Sequence, residues 1–159
     1  FSVFLFLHRE EIQRFARYGY SGIFLISLIS NSTIIFPVPG VLFTSAMGAV
    51  FDPFLVAVVA GFGATFGEIS GYLAGRAGKF VVEERDWYER ITSAMQKYGG
   101  WIILVLAAIP NPLFDLAGMA AGALRIPLWK FLLFCGIGKI LKMLFFSYSG
   151  FSISQYFMY

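Results

Sequence analysis

The chain has 159 residues, 58% of them hydrophobic and 13% charged, with a mean hydropathy of +0.76, which excludes an ordinary soluble domain. The formal charge of +3 and pI near 9.1 fit loops that face anionic head groups; no basic run with interleaved aromatics points to nucleic acid. A single cysteine, Cys135, excludes an internal disulfide and a thiolate metal site.

The charges are clustered. None falls between Tyr18 and Phe51 or between Met143 and Tyr159, and Glu68 is the only one between Asp52 and Arg76. Since a crossing takes roughly 20 apolar residues, the chain has length for about three or four. The expected fold is an all-α polytopic membrane protein in one membrane domain, with its 19 Phe and eight Tyr serving lipid contact and interfacial anchoring.

In chain order, FSVFLFL (1–7) is too short for a signal peptide and lacks a basic start. Residues 8–18, HREEIQRFARY, put Ile12, Phe15 and Ala16 on one face, which predicts an interfacial amphipathic helix over the first 19 residues or the solvated end of a longer one. An apolar helix follows over 20–36 and stops at Pro37, Pro39 and Gly40, because proline lacks the N–H and crowds the preceding turn. Residues 41–51 are apolar but too short to span. Asp52-Pro53 then opens a long apolar segment to Gly75. Residues 76–98 hold nine of the 21 charges, five of them basic; they read as a hydrophilic connection with a short surface helix on the cytoplasmic side.

After that connection the pattern repeats. FPVPGVLFTSAMGAVFDP (36–53) aligns with IPNPLFDLAGMAAGALRIP (109–127): each opens on Pro-x-Pro, and each reaches a second proline five residues after a Gly. Each then enters a long apolar helix bearing a glycine pair, Gly61/Gly63 and Gly136/Gly138. Short, Pro/Gly-interrupted apolar segments at matching places in two halves mark repeat transporters. The expectation is an inverted repeat: each half a Pro-x-Pro re-entrant hairpin, near 37–51 and 110–125, followed by a long transmembrane helix. Broken backbone at that depth must be buried in protein or line a wet cavity, so the two hairpins are expected to meet near the bilayer centre.

Several polar groups stand at membrane depth. Gly63, Gly67, Gly71 and Gly75 recur every four residues as a seam for close helix packing, and Glu68 lies beside that seam. Asp115 falls inside the second hairpin, five residues after Pro110 and three after Pro112, and Arg125 marks its exit. Lys139 and Lys142 share a face of the last helix, and the repeat alignment sets Lys142 opposite Glu68. Asn111, between Pro110 and Pro112, and Asn31, six residues ahead of Pro37, complete the candidate pathway. An intramembrane ionisable residue is a functional candidate by default; for Glu68 the alternative is a structural ion pair with a base from the second half. Enzyme chemistry is not expected: His8 is the only histidine and lies in the charged N-terminal stretch, and no P-loop or dinucleotide fingerprint is present. No cofactor or metal is expected.

Pro37-x-Pro39-Gly40, GEISGYLAGRAGK (67–79), IPNPLFDLAGMAAGALRIPLWKF (109–131) and GIGKILK (136–142) resemble the DedA/VTT-domain superfamily, also called SNARE-associated Golgi proteins, and most closely its YqaA-type branch. The resemblance implies two re-entrant hairpins and transport, since the family includes phospholipid scramblases and proposed undecaprenyl-phosphate flippases, some dependent on the proton-motive force. Where many members carry acids around the first proline motif, this chain has Asn31 and Val41; the paired arginines of the second hairpin fall near Ala108 and Phe114. Asp115 with Lys139 are the candidates to replace that set. The function expected on this reading is translocation of a phosphate-bearing lipid, with membrane lipids and possible protons as partners, and a homodimer as a further option. The alternatives are a proton- or ion-coupled solute transporter and a non-transporting assembly protein. Small size and family branch suggest the plasma membrane of a prokaryote.

Overall fold

The computed structural model describes residues 9–32, 40–78, 85–110 and 114–157, with no side-chain account for 9–17, 85, 87 and 88. The FSVFLFL start, Pro37, Pro39, Asn111 and Pro112 lie outside the described residues. Within these segments all the regular structure is helical, in the order α1 (Arg9–Ser32), α2 (Gly40–Gly48), α3 (Pro53–Gly67), α4 (Ile69–Arg76), α5 (Arg85–Tyr98), α6 (Gly100–Ala108), α7 (Phe114–Ala123) and α8 (Leu128–Phe157).

Local chemistry sets the boundaries. Residues 9–18 of the amphipathic stretch and 20–32 of the apolar helix after it belong to one continuous element, α1, so the solvated-end reading describes them better than a separate surface helix. At the other end of α1, Asn31 Nδ2 donates to the Ser27 carbonyl at 2.8 Å and Ser32 Oγ to that of Leu28 at 2.7 Å. Asp52 caps α3 by accepting from the Leu55 N–H at 2.9 Å, with Pro53 at the first helical position, where its missing N–H is no loss. Gly99, at φ 63°, lets the chain turn from α5 directly into α6. After α7 the Ile126 N–H reaches the Ala121 carbonyl and the Arg125 N–H that of Gly122, both at 3.0 Å. That is a Schellman closure, and it places Arg125 at φ 56° where glycine is the usual occupant. A left-handed non-glycine residue costs about 1–2 kcal/mol.

Two segments are long and apolar enough to cross a membrane: Pro53–Arg76, with 24 residues, and Leu128–Phe157, with 30. At 1.5 Å per residue they reach about 36 and 45 Å, against a hydrocarbon core of about 30 Å. The helices α2, α6 and α7 have only nine, nine and ten residues; at about 14–15 Å each they reach half-way.

Packing follows side-chain size, with small residues inside and large ones outside. Ala57, Ala60 and Ala64 of α3 are fully buried, whereas Phe62 and Phe66 on the same helix are exposed. Along α8 the exposed residues Leu133, Ile137, Leu141 and Phe145 form one outward stripe at four-residue intervals. This distribution suits a protein whose solvent is lipid, where helices associate by close backbone approach.

The helix α3 packs on α1 and α8, and α8 also packs on α6 and α2. The continuation α4 leaves those neighbours and packs on α7, which is covered from the other side by Ile91 and Met95 of α5. Glycines permit the crossings. A Cβ on Gly75 would strike the Met119 backbone and one on Gly122 the Tyr72 backbone, so α4 and α7 touch backbone to backbone. Gly48 and Gly150 do the same for α2 and α8, against Ser147 and Ser45. The four-glycine seam therefore serves two partners rather than one: Gly63 and Gly67 lie against α1, Gly71 and Gly75 against α7.

Candidate functional site

The neighbour of the spanning helix changes at Glu68, the residue joining α3 to α4. Gly67 before it admits the Leu28 carbonyl and Asn31 of α1, and Gly118 of α7 stands 3.8 Å, measured from an added Cβ, from Glu68 Oε2. A side chain at this joint is enclosed by α1, α7 and α8 at once, and Glu68 is only 2% exposed. The opposing cation comes from the middle of α8: Lys139, also 2% exposed, brings its Nζ to 2.5 Å from Glu68 Oε1.

Lys139 is held on three sides. Beyond Glu68, its Nζ donates to Asn31 Oδ1 at 2.7 Å and lies 4.6 Å from the centre of the Phe114 ring. An ammonium has three N–H donors and no acceptor, so a carboxylate, an amide oxygen and a π face match its capacity. Asn31 is itself oriented by its Nδ2 bond to the Ser27 carbonyl, which turns its oxygen towards the lysine. Such burial needs this compensation, because moving a charge out of water costs several kcal/mol per ion even after relaxation.

The predicted site residues divide by position. Glu68, Lys139 and Asn31 meet directly. Asp115 is half-buried in the first turn of α7, next to the Phe114 that covers Lys139, and its charge acts on Glu68 and Lys142. Lys142 is half-buried one turn beyond Lys139 and acts on the pair through space without contacting Glu68 in the way Lys139 does. The lysine bonded to Glu68 is thus Lys139, not the Lys142 that the repeat alignment set opposite it; this is the ion pair with the second half that the sequence left as its alternative. Arg125 is exposed at the far end of α7 and Pro110 is exposed beyond α6, while Gly40 is buried at the start of α2.

Three contributors were not singled out from the sequence. Phe114 had a visible signal only in adjoining Asp115, which the sequence already marks as a candidate. Tyr72 is buried and its hydroxyl donates to the Ile126 carbonyl at 2.6 Å, fastening the exit of α7 to α4. Ser27 is buried with its hydroxyl unbonded among the described residues, one turn before Asn31. Nothing in its surroundings in the sequence distinguishes that serine.

Comparison with known proteins bears on what such a site serves. The family description "VTT domain" matches residues 38–152. Vacuole membrane protein KMS1 of Arabidopsis thaliana is 33% identical over 107 residues, covering 54% of this chain and 26% of that protein. Vacuole membrane protein 1 of Homo sapiens is 34% identical over 107 residues, covering 52% and 26%. The Dictyostelium discoideum homolog is 45% identical over 51 residues, covering 32% and 13%. The chain spans about a quarter of the length of the first relatives it matches. These relatives are eukaryotic, so they lend nothing to the expectation of a prokaryotic plasma membrane. No solved structure matches the chain.

Proposed function

The chain belongs to the VTT-domain family and is an integral membrane protein, and from that premise we propose that it translocates a phosphate-bearing lipid, a phospholipid or a polyprenyl phosphate, across the bilayer. The observation that carries the proposal is the buried Lys139–Glu68 pair at the joint where the spanning helix changes neighbours. A lysine already desolvated and held by a carboxylate can exchange that partner for a phosphate oxygen, one charge-assisted hydrogen bond for another. The head group would cross along this joint while its tail remains in lipid. Asp115 and Lys142 would balance charge as the phosphate enters, and Glu68 would hold Lys139 between turnovers or exchange a proton.

The scaffold in this proposal is an inverted repeat with two re-entrant hairpins. Its support is a pairing that survives exchange of the halves: α1 on α3 corresponds to α6 on α8, and α2 on α8 to α7 on α4. Each hairpin helix meets the opposite long helix through a glycine on either side, Gly48 against Ser147 and Gly150 against Ser45, Gly122 against Tyr72 and Gly75 against Met119. Half-length helices ending at membrane depth are tolerated where protein or a wet cavity surrounds them. The role requires no covalent chemistry and no cofactor, and its partners are lipids and, if transport is coupled, protons.

The test is translocation in proteoliposomes, following a labelled phospholipid and a labelled polyprenyl phosphate with and without a pH gradient. Wild type should move at least one lipid, and Asp115→Asn should slow it. If neither lipid moves under any gradient, the proposal fails. Solute movement driven by the gradient would then favour the coupled-transporter alternative, which would use the same buried charges.

A further inference from the structure

Away from the buried pair, the crossing of α4 and α7 ends at one surface of the bundle among three exposed cations. Arg76 closes α4, Arg125 follows α7, and Lys130 lies in the first turn of α8 with its Nζ 5.6 Å from the centre of the Trp129 ring. Tyr72 ties their three segments together. Its hydroxyl donates to the Ile126 carbonyl at 2.6 Å and accepts from Arg76 Nη1 at 3.3 Å, while its ring stacks on Phe131 at 5.1 Å. A Cβ on Gly122 would meet the Tyr72 carbonyl and then the Arg76 backbone nitrogen, so α7 crosses α4 at its last turn, three residues before Arg125. Among the described residues no carboxylate pairs with Arg76 or Arg125.

Arg125 stands in a conformation that glycine would hold without strain, yet it carries an exposed guanidinium there. Helical rise puts Arg76 about 12 Å from Glu68 along α4, and Arg125 about 15 Å from Asp115 along α7. These arginines are therefore separate from the buried pair, and in a bilayer centred on that pair such distances reach the edge of a hydrocarbon core about 30 Å thick. Two planar forks at one edge suit bidentate recognition of phosphate. Exposed Leu128 and Trp129 beside them offer apolar surface, and an indole at that depth is an interfacial anchor. A free phosphate ion would have no use for that surface.

We propose that Arg76 and Arg125 form an interfacial phosphate site that takes the head group of an anionic phospholipid from the bilayer surface, with Leu128 and Trp129 against its tail. The site binds lipid whether or not the chain moves lipid across, so it stands or falls independently of the translocase proposal.

The experiment is thermal unfolding of the full chain in nanodiscs of phosphatidylcholine, of phosphatidylcholine with phosphatidylglycerol, and of phosphatidylcholine with added inorganic phosphate. Phosphatidylglycerol should raise the wild-type midpoint, and inorganic phosphate should not. In phosphatidylcholine alone, Arg125→Gly should melt about 2–4 °C higher, through relief of the backbone. The same variant should lose more than half of the phosphatidylglycerol increment, and so should Arg76→Gln. Arg125→Asn, which also tolerates the left-handed conformation, checks that the loss follows the charge. Lys97→Gln, an exposed cation on α5, should keep the full increment. The proposal is overturned if Arg125→Gly and Arg76→Gln retain the increment, if Lys97→Gln loses as much as they do, or if inorganic phosphate reproduces it.

Discussion

Replacing Lys139 by methionine keeps the stem's volume and removes the charge. Glu68, 2% exposed, then loses the ammonium that stood 2.5 Å away, and the Asn31 oxygen and the Phe114 ring lose the cation they held. Breaking a buried pair from one side costs about 3–5 kcal/mol, because the remaining charge stays desolvated. For a chain of this size that corresponds to a midpoint lower by roughly 6–20 °C. Adding Glu68→Met removes the stranded carboxylate, so the double variant should return to within about 2 kcal/mol of wild type; an apolar replacement of both partners is often neutral. The residue of cost comes from the Asn31 oxygen, which loses its donor and is only half-buried. The assay is thermal unfolding in one detergent for wild type, both single variants and the double, followed by lipid translocation for those that fold. A single-variant cost under about 1 kcal/mol, or a double-variant cost equal to the sum of the singles, would refute a desolvated, coupled pair. A stable double variant that translocates at the wild-type rate would make the pair structural only.

The two glycines that meet α7 should respond differently. Gly75→Val forces a side chain into the Met119 backbone and should destabilise by about 1–3 kcal/mol or prevent folding, whereas Gly71→Ala, with its nearest atom 3.9 Å from the new Cβ, should be neutral or stabilising by up to about 1 kcal/mol. Equal midpoints for the two would contradict the close α4–α7 crossing. Tyr72→Phe deletes the bond to the Ile126 carbonyl and should cost about 0.5–1.5 kcal/mol, with faster amide exchange over 124–126 as the local readout.

Hydropathy and length made the two long spans legible, and the expected opening of the first at Asp52-Pro53 is where the structure shows Asp52 capping the helix. The split of the N-terminal region was not, because a composition change from charged to apolar marks a change of solvent, not a helix end; Gly19 and Gly22 lie within α1 without interrupting it. The chemistry of the site was legible and its pairing was not. Glu68 and the lysines stand out as charges in apolar sequence, and helical spacing places Lys139 and Lys142 on one face. Which lysine reaches Glu68 depends on the height at which α8 crosses α3, and a period fixes the face without fixing that height. The glycine seam misled for a related reason. Four-residue spacing shows that one face is smooth, but the exchange of α1 for α7 as its neighbour is a tertiary event. Phe114 is the converse case, a residue without charge that becomes part of an ionic site because its ring faces an ammonium.

If the proposed repeat holds, its register accounts for one buried pair rather than two among the described residues. Thr65 and Lys139 each stand twelve residues after the proline that opens their long helix, Pro53 and Pro127, and Glu68 and Lys142 each stand fifteen after it. In the proposed repeat, contact between Glu68 and Lys139 therefore has a counterpart between Lys142 and Thr65. That counterpart cannot be ionic: Thr65 is neutral, and its hydroxyl already donates to the Gly61 carbonyl at 2.6 Å. The scaffold can be close to two-fold while the charge on it is not. Lys142 remains half-buried beside the pair, a second cation whose contact position in that repeat is the neutral Thr65. A phosphate arriving at the joint would meet Lys139 and Lys142 one helical turn apart, with Glu68 the group it must displace.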